Sequence, residues 1–162
     1  MPLIPALLFA AGLLASGASH AQQSPQWWGV ASVGSHHFED ADEYLGPGES
    51  FNESNLGAGV EVQWQPRHGV AAGFFRNSVD EDSRYVLYQY TPLPLGRFVR
   101  VGGMLGVVDG YPGYNDGNFA LGGGFVLKAE GQRVGANLVL LPRIPRSTPW
   151  TLGLQVKLHL GR

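Results

Sequence analysis

The chain has 162 residues, a formal net charge of −2 and no cysteine. That length holds one domain and not two, the charge excludes the basic face a nucleic-acid partner requires, and the lack of cysteine excludes a disulfide-stapled fold. Twenty-four glycines, about twice the usual share of about 7%, leave no helical period standing out in any segment.

Residues 1–21 carry no charged side chain apart from His20 and include the apolar run 7–15. Ser19-His20-Ala21 fits a small-x-small cleavage site, so 1–21 reads as a secretory signal peptide and 22–162 as one mature domain. The apolar run is too short for an anchor helix, which needs about 20 residues.

Eight alternating segments follow, at 27–38, 55–65, 69–77, 84–90, 98–108, 118–128, 134–141 and 150–160, each bounded by turn residues. Connections after the odd segments are long and polar, and those after the even ones short. This predicts an all-β chain, an eight-stranded antiparallel transmembrane β-barrel, closed so that no edge faces lipid. The competing architecture, a soluble lipocalin-like barrel, would turn its apolar face inward. Parity favours the membrane form. Leu152, Leu154, Val156, Leu158 and Leu160 share one face of the last segment, and Gly153, Gln155, Lys157 and His159 the other. Trp27, Trp28, Trp64, Tyr88, Tyr90 and Trp150 near the segment ends suit interfacial girdles.

Sorting the inward residues by depth predicts a divided lumen. Glu61, Gln63, Gln89, Arg100, Lys128, Asn137, Gln155, Lys157 and His159 fall at the short-turn end, where charges can pair. Gly57, Gly59, Gly73, Phe75, Leu87, Gly102, Met104, Gly106, Gly122 and Gly124 fall at the long-loop end. Glycines there leave space for an alkyl chain, each buried methylene being worth about 0.8 kcal/mol. Alternatively, loop residues such as Leu45, Phe51 or Tyr111 plug the space.

At the rim, His37 takes the inward parity of Gly29, Ala31, Val33 and Ser35, while His36 shares the face of Trp28, Val30 and Phe38. Asn77 and Ser78 end the third segment. A histidine beside a hydroxyl is the minimum for acyl transfer, with the imidazole as general base, and a polar residue can hold the ring in its productive tautomer. No nucleotide loop, HExxH motif or Gly-x-Ser-x-Gly elbow is present.

The order Ser-His-His-Phe at 35–38, a long loop ending Asn52-Glu53, Gly57-Ala58-Gly59, Phe-Arg-Asn-Ser at 75–78 and a Val-Leu-Leu-Pro run ending at Pro142 resembles the lipid A palmitoyltransferases of the PagP type. The resemblance implies a bacterial outer-membrane enzyme that moves a palmitoyl chain from a phospholipid to the lipid A of lipopolysaccharide, as a monomer, with neither metal nor cofactor. The family's histidine carries over to His37 and its Asp-Ser pair to Asn77 and Ser78, with an amide in place of the carboxylate. The acyl pocket would be lined by Gly73, Leu87, Gln89, Gly102, Met104, Gly106 and Gly122, with Gln89 where the family has a floor glycine. Pro142, Pro145 and Pro149 interrupt the junction of strands seven and eight, and Pro142 there implies lateral lipid access. Two other functions fit the same residues: a non-enzymatic barrel that adheres, stabilises a membrane or binds a hydrophobic ligand, and a lipid A deacylase.

Overall fold

The computed structural model describes residues 24–145 and 147–162, so the expected signal peptide lies outside the described residues. Eight antiparallel strands form one closed barrel in sequential order. They are β1 (Gln26–His37), β2 (Gly57–Trp64), β3 (His68–Arg76), β4 (Asp82–Pro94), β5 (Val99–Val108), β6 (Ala120–Glu130), β7 (Val134–Leu141) and β8 (Thr151–Gly161). β1 pairs with both β2 and β8, which closes the sheet. We label the long connections at 38–56, 77–81, 109–119 and 142–150 as L1 to L4.

Most boundaries lie within two residues of expectation, and two of the differences have identifiable reasons. β2 starts at Gly57 because Asn55 is spent on the loop, donating to the carbonyls of Asn52 and Arg76 at 3.2 and 3.0 Å. β4 runs through Pro92 to Pro94 rather than stopping at Tyr90. A register shift between Tyr90 and Leu93 absorbs Pro92, which has no N–H for the ladder.

Large apolar side chains face outward, opposite to the arrangement of a lipocalin-like barrel. Phe74, Val86, Leu105, Leu121, Phe125 and Leu158 stand exposed on the exterior, whereas Val30, Tyr85, Met104 and Val126 are buried within. At the short-turn end, the rings of Trp64, His68, Tyr88 and Tyr90 cluster, with His68 and Tyr88 sharing a 2.6 Å hydrogen bond.

The floor of the lumen is a charge network centred on Glu61. Its Oε1 accepts from Lys128 Nζ at 2.7 Å, Lys157 Nζ at 3.1 Å and Gln63 Nε2 at 2.6 Å. Its Oε2 accepts from Asn137 Nδ2 at 3.1 Å. Lys157 also pairs with Glu130. Glu61, Lys128, Asn137 and Lys157 are each no more than 3% exposed, and such charges persist only when paired.

β1 departs from simple alternation. A register shift against β8 between Ser32 and Gly34 leaves Val33 as an extra residue. Below it the inward residues are Trp28 and Val30, at 2% and 4% exposed, and Val33 is outside. The expected inward face of Gly29, Ala31 and Val33 is therefore wrong. Above the bulge, Ser35 pairs with inward Gly153 and His37 with buried Thr151. Trp28 is no girdle residue; its ring lies against His159 and beneath the Lys157 ammonium.

Candidate functional site

The long-loop rim is assembled by the end of L1 folding back over β1 and L2. Ser35 N–H donates to the Glu53 carbonyl at 2.9 Å, and Asn52 N–H donates to the Ser78 carbonyl at 2.9 Å. Asn52 Nδ2 adds a 3.0 Å bond to the Asn77 carbonyl. Gly34 permits this approach, because a Cβ there would lie 2.6 Å from the Glu53 carbonyl oxygen. L1 is anchored on its other side to L4, where Arg143 bonds the Tyr44 hydroxyl at 3.0 Å and the Glu43 carboxylate at 2.5 Å.

This framework brings His37 and Ser78 together. His37 is 8% exposed, and its Nε2 lies 2.9 Å from Ser78 Oγ. The hydroxyl can donate to the ring nitrogen, which is the ground-state geometry for general-base activation of a nucleophile. His36 points outward, edge-on to Phe38. The inward direction of His37 matches the expectation only because the Val33 bulge resets the parity.

Phe51 and Tyr111, the loop residues that could have plugged the lumen, both reach this mouth. Phe51 stacks on the His37 ring at 4.1 Å between centroids and 21° between planes. Tyr111 from L3 sets its hydroxyl against Ser78, and burial pushes that phenol up to about 12.

Asn77 does something different from the role drawn for it. It is fully buried, but its amide turns away from the histidine. Nδ2 donates to Ser83 Oγ at 3.0 Å and to the Gly110 carbonyl at 2.6 Å, while Oδ1 accepts the N–H groups of Val79 and Glu81 at 3.0 and 2.9 Å. All of its bonding capacity closes the L2 turn and ties it to L3. The side chain placed behind the ring is Glu53. Its Oε1 accepts His37 N–H at 3.1 Å, lies 3.1 Å from His36 Nδ1 and stands 3.7 Å from His37 Nδ1. The His37 N–H, and after it the two imidazoles, hold the Glu53 carboxyl below the usual carboxylate range. This tie is fully present above the ordinary glutamate range and is lost as pH falls through Glu53's lower value.

A consequence for Asn77→Asp reverses the simple expectation that a carboxylate would improve the site. Aspartate has no donor for Ser83 Oγ or for the Gly110 carbonyl, and it would set a negative charge against the latter. We expect a loss of about 3 kcal/mol of stability, the range for buried groups left unsatisfied. Denaturant unfolding of the purified barrel in detergent measures this. Wild-type stability in Asn77→Asp would show that the turn does not depend on the amide donors.

The expected pocket residues are less open than their glycines suggested. A Cβ on Gly73 would fall 2.5 Å from the Ala58 carbonyl and 2.9 Å from the Tyr85 hydroxyl, and one on Gly59 would fall 2.5 Å from the Ala72 carbonyl and 2.8 Å from that hydroxyl, so backbone and tyrosine together close that part of the bore. Cβ atoms on Gly102 and Gly106 would collide with the β4 backbone, at the carbonyls of Tyr90 and Val86. These two glycines serve close strand approach rather than empty volume. Gly122 is different: a Cβ there meets only Val108 Cγ1, at 3.4 Å. Leu87 remains partly exposed, and Met104 pairs across the ladder with Gln89. Gln89 is 2% exposed, and its Oε1 has no partner among the described residues. It does not join the Glu61 network as its amide was expected to.

Pro142 needs a correction of side. The β7–β8 ladder is unbroken up to Leu141↔Thr151. The break is on the other edge of β7, where pairing with β6 ends at Phe125↔Leu140 while β6 continues back to Ala120. β7 stops because Pro142 follows Leu141 and has no N–H to extend the ladder. Residues 120–124 of β6 therefore have no β7 partner in the ladder, and Gly122 lies within that unpaired stretch. The β1–β2 ladder also stops early, at Ser32↔Gly57, but there the end of L1 covers the edge of β1 through the Ser35 N–H bond to the Glu53 carbonyl. Pro142 signalled an opening in the sequence but not its side, which depends on β6 and β7 being of unequal length.

No protein-family model matches this chain, and no curated protein matches it significantly.

Proposed function

We propose that this chain is an outer-membrane acyltransferase, and more particularly a lipid A acyltransferase of the PagP type. On this reading, the exported barrel sits in the bacterial outer membrane and Ser78 and His37 act on the ester of a phospholipid donor. The observation that carries the reading is the 2.9 Å contact between Ser78 Oγ and His37 Nε2, held at a mouth of a barrel whose exterior is apolar. Soluble acyl donors would not require that exterior, because burying aliphatic side chains in lipid is what makes the arrangement favourable.

The chemistry is ordinary acyl transfer. His37 Nε2 takes the proton as an oxygen nucleophile attacks the ester carbonyl, and returns it to the departing lysophospholipid alcohol. The nucleophile is either Ser78, through an acyl-enzyme, or the lipid A hydroxyl, with Ser78 relaying the proton. The β6–β7 opening beside Gly122 offers lipid a lateral route to the lumen, flanked by Pro142. Leu87 and Met104 would line the chain's path, and Gln89 would stand at its floor.

Mass spectrometry of lipid A from cells with and without the gene tests the function. One additional acyl chain is expected. Loss of a chain would identify a deacylase, and an unchanged profile would leave a non-enzymatic barrel.

Acyl-chain length tests the floor separately. A glutamine amide left against hydrocarbon costs about 1–3 kcal/mol, and each excluded methylene forgoes about 0.8 kcal/mol. The wild type should therefore prefer palmitoyl or shorter chains, and Gln89→Gly should shift transfer several-fold towards longer donors. An unchanged length profile across a phospholipid series would move the floor to another residue, such as Met104.

A further inference from the structure

We infer that Glu53 is the positioning carboxylate of this site, supplying from L1 what Asn77 on L2 cannot. The inference rests on the acyltransfer reading above. If Nε2 accepts the Ser78 proton, the neutral ring must carry its own proton on Nδ1. That Nδ1 is buried and has no hydrogen-bond partner among the described residues. A buried donor without a partner is costly, and in a native protein it calls for an explanation. The neighbouring acceptor is Glu53 Oε1, 3.7 Å away. This is too long for a hydrogen bond but within the closure that catalytic contacts undergo when substrate binds.

The backbone already aims the carboxylate at the ring. The His37 N–H bond to Oε1 at 3.1 Å fixes that oxygen on the histidine's own residue, and the Ser35 N–H bond fixes the Glu53 backbone. Phe51 stacked on the imidazole holds the ring from one face. The Glu53 side chain is half-exposed and free to close the remaining distance to Nδ1.

When His37 takes the proton from the nucleophile, its ring becomes a cation in a site shielded from water. Glu53 stabilises that cation, while His36 competes for the same oxygen from the solvent side. The other charged or titratable groups facing His37 are Glu39 of L1, farther off, and Tyr111 of L3, which sits on Ser78. No charged residue of β8 faces it, since its partner there is Thr151. The site is therefore a Ser–His–Glu arrangement drawn from L2, β1 and L1, in which His37 carries the proton from nucleophile to leaving group and Glu53 never takes it.

The test is the pH–rate profile of Glu53→Gln and Glu53→Asp, with folding followed by heat-modifiable gel mobility. The general base works as the neutral ring, so activity falls on the acid side as the ring becomes protonated. Removing the carboxylate makes that protonation harder. In Glu53→Gln the acid limb should therefore move to lower pH while the plateau rate falls about 100-fold or more, the scale of losing the carboxylate behind a catalytic histidine. Glu53→Asp should recover part of the rate, and the pH midpoint of the His37 ring signals by NMR should fall in Glu53→Gln. A purely structural tie would lower the rate without moving the limb. An active wild type whose Glu53→Gln variant keeps both its acid limb and its His37 midpoint overturns the inference. A wild type that turns over no acyl ester overturns the acyltransfer reading, and this inference with it.

Discussion

On the proposed acyl-transfer reading, alanine at either His37 or Ser78 is expected to lower transfer at least about 1,000-fold, because a general base and a hydroxyl that act as a unit are both disabled by losing one. The two side chains meet at 2.9 Å on separate elements, the end of β1 and L2. The barrel ladder does not depend on either side chain, so heat-modifiable mobility on gels should stay as in the wild type. His36→Ala serves as the comparison: its ring is outside and bonds only the shared Glu53 oxygen, so it should retain most of the activity. Transfer assayed with a radiolabelled phospholipid in detergent reads all three. If His36→Ala is dead and His37→Ala active, the assignment of the inward ring is wrong.

The largest stability effect is expected at Glu61. Glu61→Ala would leave Lys128 with no carboxylate partner and Lys157 with Glu130 alone, both deep in the floor of the lumen. Removing one partner of a buried ionic cluster costs about 3–5 kcal/mol, because the remaining charge is neither solvated nor paired. Guanidinium unfolding in detergent micelles should show that loss. A variant that also replaces Lys128 with Met should recover much of it, since an apolar substitute needs no partner. A change below about 1 kcal/mol in Glu61→Ala would mean that water reaches the floor and solvates the lysines. Activity should respond less than stability, because the floor lies at the opposite end from His37.

The barrel was legible in the sequence because period-2 alternation survives in six of its strands, and in β4 as far as Thr91, and loop lengths alternate with it. The charge network was legible for the same reason: Glu61, Lys128, Asn137 and Lys157 keep inward parity without interruption. β1 was not, since one extra residue at Val33 inverts the face of everything below it. His37 was placed correctly from a register that was wrong for Gly29, Ala31 and Val33. The glycines misled in a different way. Their missing side chains read as volume, whereas neighbouring backbone fills the space at Gly59, Gly73, Gly102 and Gly106, with the Tyr85 hydroxyl added at the first two. Glu53 could be seen only as part of a loop, because its meaning depends on L1 folding back 16 residues onto His37. Asn77 looked like a catalytic amide for the opposite reason: its neighbour Ser78 is at the site, and adjacency in the chain says nothing about which way an amide turns.

The hub at Glu61 also constrains the order in which the molecule can be made. Its partners Lys128, Asn137 and Lys157 lie 67, 76 and 96 residues further along the chain. None of those bonds exists until β6, β7 and β8 have arrived, so the β2 carboxylate spends the early part of folding without a cationic partner, with only the neighbouring Gln63 amide to donate to it. Closures over such separations are slow. Ring closure and completion of the floor are therefore coupled: the strand that seals the barrel against β1 also brings the second lysine that lets Glu61 leave water.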